Sequence, residues 1–521
     1  MPLENSPHEL TMRHAEIAAA MVSFLKEKTG VVNADVAKNL RENGGDSLAA
    51  TQLAAHLRGR FNVECSAAKL LGAPSLLDIS RHMEQGRGGT IVPAEKGDAY
   101  PLSDQQTGVA FDQIRTPLGK QYNLPLYVEA GPGFDFKRFT RCMNAIFKRH
   151  AGLRMRLVLR DGHLMQRIAE FDEADLRIVD RGVTSDLLEE LTLFCEPFDL
   201  EHGPLYRLAK VSCSGKSYLM FDMHHIVTDG YSKKLIFAQI DALYGGCYPA
   251  LPDLAYTDYC CWAQSQKSGP ARAASLAYWK DKIFPLPQPL ALPVDHAWPS
   301  VRSVDAGCVT AFLGEDDVAR LGEVARNSGA TLYEALIASY GVAVACITGA
   351  SDFMLGSPAL GRNLPGTDDT VGMFASTACY RLGIDMPDSF AKHLEKVVGE
   401  VRATTQQMFF PLDEMVKMAA KERTERMARH PIFDLMLAFH ARQLVEVQLD
   451  GHPVIWEPAA TKSAIFDLHM HIFERPNGLD IRLIYNSSLF SMQTASEWLS
   501  AYVEVIGALS RAPESSMASA L

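Results

Sequence analysis

The chain has 521 residues, 47% of them hydrophobic and 22% charged, ordinary globular composition with material for several cores. A formal net charge of −11 argues against nucleic acid as a main partner, because phosphate binding wants a basic face. Ten cysteines, with Cys260 and Cys261 adjacent and no CxxC pair, are not a disulfide framework and read as reduced thiols of a cytoplasmic protein.

The opening stretch "MPLENSPHEL" has no basic n-region and no apolar h-region, so it carries no secretory signal. Residues 6–85 read as a small all-α unit. Ser6, Pro7 and Glu9 have N-cap, N1 and N3 spacing, Ile17, Met21, Val22 and Leu25 recur at helical spacing, and Gly30 closes the helix. A second helix is expected from Ser47 to Arg60, with Ala49, Leu53 and Leu57 on one stripe, and a third from Ser75 to His82. No convincing strand lies among them. The glycines, proline and mixed charges of "EQGRGGTIVPAEKGD" have linker composition.

Beyond it, β-like runs ("LPLYVEA", "SYLMFDMH", "GLDIRLIY") alternate with amphipathic helical patterns over 135–149, 232–244, 314–328, 331–345 and 390–407. This α/β material is too long for one compact core. The proline-rich "FPLPQPLALPVD" at 284–295 divides it into two lobes, and a cleft between lobes is a natural active site. The expected division is 1–85, a linker 86–98, a first lobe 99–283 and a second lobe 284–521. The apolar stretch 331–347 is too short, and too interrupted by Glu334 and Gly341, to cross a bilayer, so no membrane is expected as a partner.

Two stretches carry chemistry. "ENGGDSLAATQLAAHL" sets Ser47 after two glycines and an aspartate at a helix start. Asp46 or Ser47 could simply cap the helix. An exposed serine there could equally carry a phosphodiester, which free N–H groups and the helix dipole favour. "FDMHHIVTDG" places His224 and His225 side by side, with Asp229 and Gly230 following. On a strand the two rings would face opposite ways, one toward a wall and one toward a cleft. A metal site wants three or four ligands, and neither an HExxH motif nor a Cys/His partner set occurs, so no metal is expected. An inert hydrogen-bonded pair and a general base or orienting histidine are the two readings that stay open.

In this helical context Gly44, Gly45, Ser47 and Leu48 match G-G-x-S-[LI], and the unit resembles a peptidyl carrier protein; Asp46 stands where histidine is frequent. The resemblance implies a 4′-phosphopantetheine arm on Ser47, holding an acyl group as a thioester. H-H-x-x-x-D-G, matched by His224, His225, Asp229 and Gly230, resembles the signature of nonribosomal peptide synthetase condensation domains. Further fragments follow in register: "YNLP", "RHAGLRMRL", "PFDLEHGPLYR", "YTDYCCW", "VGMFAST", "FFPLDEMV" and "RHPIFDLM". The first motif keeps Ser103 and Gln106 but is loose after them, and Ala375 and Ser376 depart from the pattern, as does Trp298 after "LPVD".

The resemblance implies a fold of two chloramphenicol-acetyltransferase-like α/β lobes with a tunnel between them, preceded by the carrier bundle. It implies amide-bond formation, an acyl transfer of the kind used in antibiotic or siderophore biosynthesis. His225 would face the tunnel as base or orienting group, His224 would shape the loop, and the Gly230 N–H would be a candidate oxyanion donor. Asp229 would pair structurally with Arg362 of "SPALGRNLPG". No adenylation signature, GxSxG elbow or Walker A loop is present. Loading is therefore expected from an adenylation domain or synthetase module in trans, with a phosphopantetheinyl transferase to attach the arm. The acceptor would be an amine on a second carrier. Release onto a soluble amine, alcohol or water, and a non-catalytic carrier-docking role, are the alternatives. The opening methionine and the lack of a downstream module fit a free-standing two-domain protein or a piece of a larger synthetase.

Overall fold

The structure, a computed structural model of the chain, describes every residue except 1–6, 30, 32, 46, 62, 66–69, 72, 82–83, 86–90, 174–176, 251, 301, 363, 365, 406, 408–411, 423–428 and 443–446. The expected caps Ser6 and Gly30, residue Asp46 and the start of "FFPLDEMV" thus lie outside the described residues.

Helices α1 (Pro7–Thr29), α2 (Ser47–Phe61) and α3 (Leu76–Arg81) form the small unit. Ile17, Met21 and Leu25 of α1 meet Ala49, Leu53 and Leu57 of α2 in one apolar cluster, so the stripes legible in the sequence are the ones that pack. A two-residue ladder between Val63–Glu64 and Glu84–Gln85 was not expected; it closes the ends of the unit. The turn before α2 is held by the buried Asn43 side chain. Its Oδ1 accepts from Asp35 N at 2.7 Å, and its Nδ2 donates to Asp35 O and Asn39 O at 2.9 and 2.8 Å. Gly44 has φ +76, and a Cβ at Gly45 would lie 2.7 Å from Leu40 Cγ. Both glycines are therefore demanded by the turn that presents the start of α2.

The first lobe contains α4 (Asp104–Arg115), β1 (Leu126–Ala130), α5 (Phe136–Arg149), β2 (Ile178–Thr184), β3 (Tyr206–Cys213), β4 (Lys216–Met223) and α6 (Gly230–Tyr244). Helix α5 shows the local logic. Asp135 caps it by accepting from Lys137 N and Arg138 N, and Phe139, Cys142, Met143, Ile146 and Phe147 are its buried face. The second lobe contains α7 (Pro270–Ile283), β5 (Ala306–Gly314), α8 (Leu332–Thr348), β6 (Asp352–Ala359), β7 (Ser376–Gly383), α9 (Phe390–Thr405), β8 (Leu435–His440), β9 (Ile455–Trp456), β10 (Leu468–Arg475), β11 (Gly478–Asn486) and α10 (Met492–Arg511). Among the described residues no single helix is long and apolar enough to cross a membrane, and α8 is buried in the core along nearly its whole length.

The first sheet has the order β9-β1-β4-β3-β2 and the second β5-β11-β10-β8-β6-β7. Packing crosses the proline-rich joint in both directions. Trp279 and Ile283 of α7, before the joint, pack with Met354, Cys379 and Phe433 of the second half. Leu364, Val371, Met373 and Phe374, after it, join the first lobe's core, and β9 pairs with β1 through Trp456 and Leu126. The two lobes are laced together where the histidine motif lies.

Candidate active site

Strand β4 ends at Met223, one residue short of the expected run. His224 makes an isolated bridge with Asn123 and donates its backbone N–H to Leu205 O at 2.9 Å. His225 then opens a 3-10 turn, His225–Val227, and its N–H donates to Tyr122 O at 2.8 Å. The histidines differ in setting, as expected, but the cause is the turn rather than strand alternation.

His224 is fully buried. Its Nδ1 accepts from Ile226 N at 3.1 Å, Nε2 lies 3.4 Å from Gln113 Oε1, and the ring packs beside Tyr122 and Phe198. Burial, with smaller contributions from His225 and Arg207, brings its pKa down to about 3. A neutral His224 thus stabilises the fold fully above about pH 6.5, the unfolded value, and that stability is lost as pH falls toward 3. His224→Asn keeps an acceptor near the Nδ1 position but does not titrate. The stability advantage of the wild type over this variant is expected to shrink by roughly 1.4 kcal/mol per pH unit below about pH 6, measurable by urea unfolding across pH 4–7.

His225 is half-exposed, and its Nδ1 is buried with no hydrogen-bond partner among the described residues. Nδ1 itself faces inward, and it is the partly exposed remainder of the ring that a substrate can reach. Distant motif fragments brace this turn. Gln106 donates Nε2–H to Ile226 O at 3.0 Å, while its own backbone N–H is accepted by Ser103 Oγ at 3.1 Å. The Tyr256 hydroxyl donates to Met373 O and lies 3.0 Å from Ser103 Oγ. Asn123 donates to Asp222 Oδ2 at 2.6 Å, and Arg207 lies 3.4 Å from the same carboxylate and 3.9 Å over the Phe198 ring. His150 contacts Gln239 of α6 at 2.9 Å.

Asp229 is the N-cap of α6. Its Oδ1 accepts from Ser232 N at 2.7 Å, and its Oδ2 accepts from Phe374 N and Ala375 N at 2.9 and 3.0 Å. Arg362 Nη2 is 3.4 Å from Oδ1 and donates more closely, at 2.6 Å, to Ser232 Oγ. Arg362 also donates to Thr370 O at 2.8 Å and to Thr367 O, and it is 2% exposed. Ser232 Oγ donates to Gly372 O at 2.6 Å. The expected Asp229–Arg362 pair is thus one edge of a buried knot that fastens residues 370–375 of the second half to the first lobe. Sequence reasoning missed Ser232 in this knot. Gly230, the first residue of α6, is exposed, and a Cβ there would meet no heavy atom within 4 Å. As N1, its amide has no partner within the helix.

Ser47 is the first residue of α2, whose first turn holds no acidic residue. A first helical turn without an acidic residue, reached through a glycine turn, fits a phosphodiester. The small helical unit touches the second unit beside the motif. Gln52 of α2 donates to the Tyr231 hydroxyl at 2.9 Å, next to Gly230, while Arg41 donates to Gly329 O and lies 3.8 Å from Glu334. Sequence reasoning also missed His440, His469, His471, Trp456 and Lys233, which gather at the lobe junction. The alternation in "LHMHIFER" was the available signal.

Residues 96–520 match the family model of the condensation domain, and residues 17–83 match that of the phosphopantetheine attachment site. The chain is similar to surfactin synthase subunit 1 of Bacillus subtilis (strain 168), with 27% identity over 481 residues, 91% of this chain and 13% of that protein. It is similar to bacitracin synthase 3 of Bacillus licheniformis, with 31% identity over 487 residues, 91% of this chain and 8% of that protein. The chain thus spans only a small part of these relatives. Its fold resembles the crystal structure of the X-domain from teicoplanin biosynthesis, at TM-score 0.72 and 21% identity, over 82% of this chain and 99% of that one.

Proposed function

The chain belongs to the condensation-domain family, with a phosphopantetheine attachment domain ahead of the catalytic unit, and we propose that the two act as acyl donor and amide-forming catalyst in nonribosomal peptide synthesis. The observation that carries this reading is His225, a partly exposed ring on a turn fixed by Tyr122 O and Gln106 and close in sequence to the amide of Gly230, the first of its helix. The arm on Ser47 supplies a thioester carbonyl. His225 orients the neutral amine and takes up its proton as the C–N bond forms and the C–S bond breaks. The Gly230 N–H donates to the carbonyl oxygen as negative charge develops there. His224, neutral and buried, holds the turn, and Asp229, Ser232 and Arg362 hold the floor formed by residues 370–375.

Contacts of Gln52 with Tyr231 and of Arg41 with Glu334 support transfer from the carrier of the same chain. Adenylation by another synthetase domain and an amine borne by an acceptor carrier complete the reading. A reducing, cytoplasmic setting belongs to it, supported by ten free thiols. Coenzyme A and a phosphopantetheinyl transferase are expected to add one phosphopantetheine to the wild type and none to Ser47→Ala, as read by intact-protein mass. Modification of the alanine variant would place the arm elsewhere.

A further inference from the structure

The face of the second sheet that looks toward the first lobe is not an ordinary core. Along β10, Leu468, Met470 and Ile472 enter the apolar cluster beneath α8 and α10, while His469, His471 and Phe473 take the opposite face. Strand β8 runs parallel beside it with His440 in register with Phe473, so His440 shares that face. His440 Nε2 lies 3.1 Å from His471 Nδ1, and the His469 and His471 ring centres are 3.8 Å apart. Trp456, on the strand that crosses to the first lobe, stands edge-on to His440 at 5.0 Å.

Lys233 enters this group from α6, its Nζ 4.8 Å from the centre of the Trp456 ring. It is only 8% exposed, and no hydrogen-bond acceptor or carboxylate partners its ammonium among the described residues. The carboxylates nearby are already engaged, Glu457 by Arg482 at 2.5 Å and Asp480 by Arg482 and Arg475 at 3.1 and 3.6 Å. Burial brings the Lys233 pKa down to about 7, and like-charged Arg475 adds to the effect. Trp456 Nε1 and His469 Nε2 are likewise buried without partners. A buried cation with no counter-charge is costly to hold and is relieved by an anion.

The place is right for a substrate group. Lys233 is three residues after Gly230 on α6, so the two share a helix face. Pro125 O accepts from Glu457 N at 3.0 Å, and Tyr122 O accepts from His225 N. The cluster is thus joined to the His225 turn through the short segment 122–125.

We propose that this cluster receives a carboxylate carried by one of the two substrates, held by Lys233 beside Trp456 and the three imidazoles. The inference rests on the condensation reading and narrows its substrate class to acyl donors or amine acceptors with an acidic terminus. Calorimetric binding to the full chain tests it with two matched pairs, glutaryl against valeryl N-acetylcysteamine thioester and 4-aminobutyrate against butylamine. The carboxylate member of one pair is expected to bind at least tenfold more tightly, and the pair that discriminates names the source. In Lys233→Met the ratio falls toward one, while the melting temperature rises by a few degrees because the unpaired charge is gone. Equal affinity within both pairs, no measurable binding of any member at millimolar concentration, or a preference that survives Lys233→Met would overturn the assignment. Failure of the condensation reading shows separately, as a Ser47 thioester that no amine discharges, and leaves the binding comparison readable.

Discussion

His225→Ala is expected to keep the fold and cut amine-dependent discharge of a Ser47-bound acyl group by about 10²–10⁴-fold, the span of a positioned acid–base group. The ring makes no side-chain hydrogen bond among the described residues that the alanine would break, and its turn is held by backbone bonds to Tyr122 O and by Gln106. Stability should therefore change by no more than about 1 kcal/mol. His224→Asn supplies the contrast. It sits one residue away but acts on the scaffold, so its variant should lose stability before it loses chemistry. A His225→Ala protein with normal turnover and normal melting would remove His225 from the reaction.

Asp229→Ala is expected to destabilise the chain by at least about 3–5 kcal/mol, because it strips a buried guanidinium of its carboxylate. The cost goes beyond the ion pair. Phe374 N, Ala375 N and Ser232 N all lose their acceptor, and each unsatisfied buried amide costs about 1–3 kcal/mol at its own site. The urea midpoint should fall steeply, and residues 370–375 should become the first to exchange amide protons. Adding Arg362→Met should restore part of the loss, since the stranded charge is then gone. Recovery stays partial, because Arg362 also holds Thr367 O and Thr370 O. A double variant no more stable than Asp229→Ala alone would mean that the two side chains are not coupled.

Much of this was legible in the sequence, for physical reasons. The strong periodicities of α5, α8 and the carrier helices gave their bounds to within about three residues, because local pattern and burial agree there. The glycine pair before Ser47 is a local device and reads locally. The histidine turn was legible as a motif, and the partner of Asp229 was found at Arg362. What the sequence hid was three-dimensional. Ser232 sits beside Asp229 in the chain, yet its task is set by Gly372, 140 residues away. The division at the proline-rich joint ignores that α7 packs forward and that residues 364–374 pack back, since proline marks where a chain bends and not where a core ends. His440 and His471 meet because β8 and β10 pair side by side, and Trp456 joins them because β9 pairs with β1 of the first sheet. Lys233, on a helix with a long apolar face, carries no local sign of its burial.

The central claim is that the carrier's acyl group is passed to an amine at His225. It is tested most directly in a single turnover. Holo-protein with an acyl thioester on Ser47 is mixed with excess neutral amine, free or carrier-borne, and followed by intact mass and product analysis. The expected result is stoichiometric loss of the acyl mass from the wild type with one amide formed, and retention of that mass in His225→Ala. An acyl group that stays on Ser47 with every amine, or leaves both proteins at the same rate, would contradict the account.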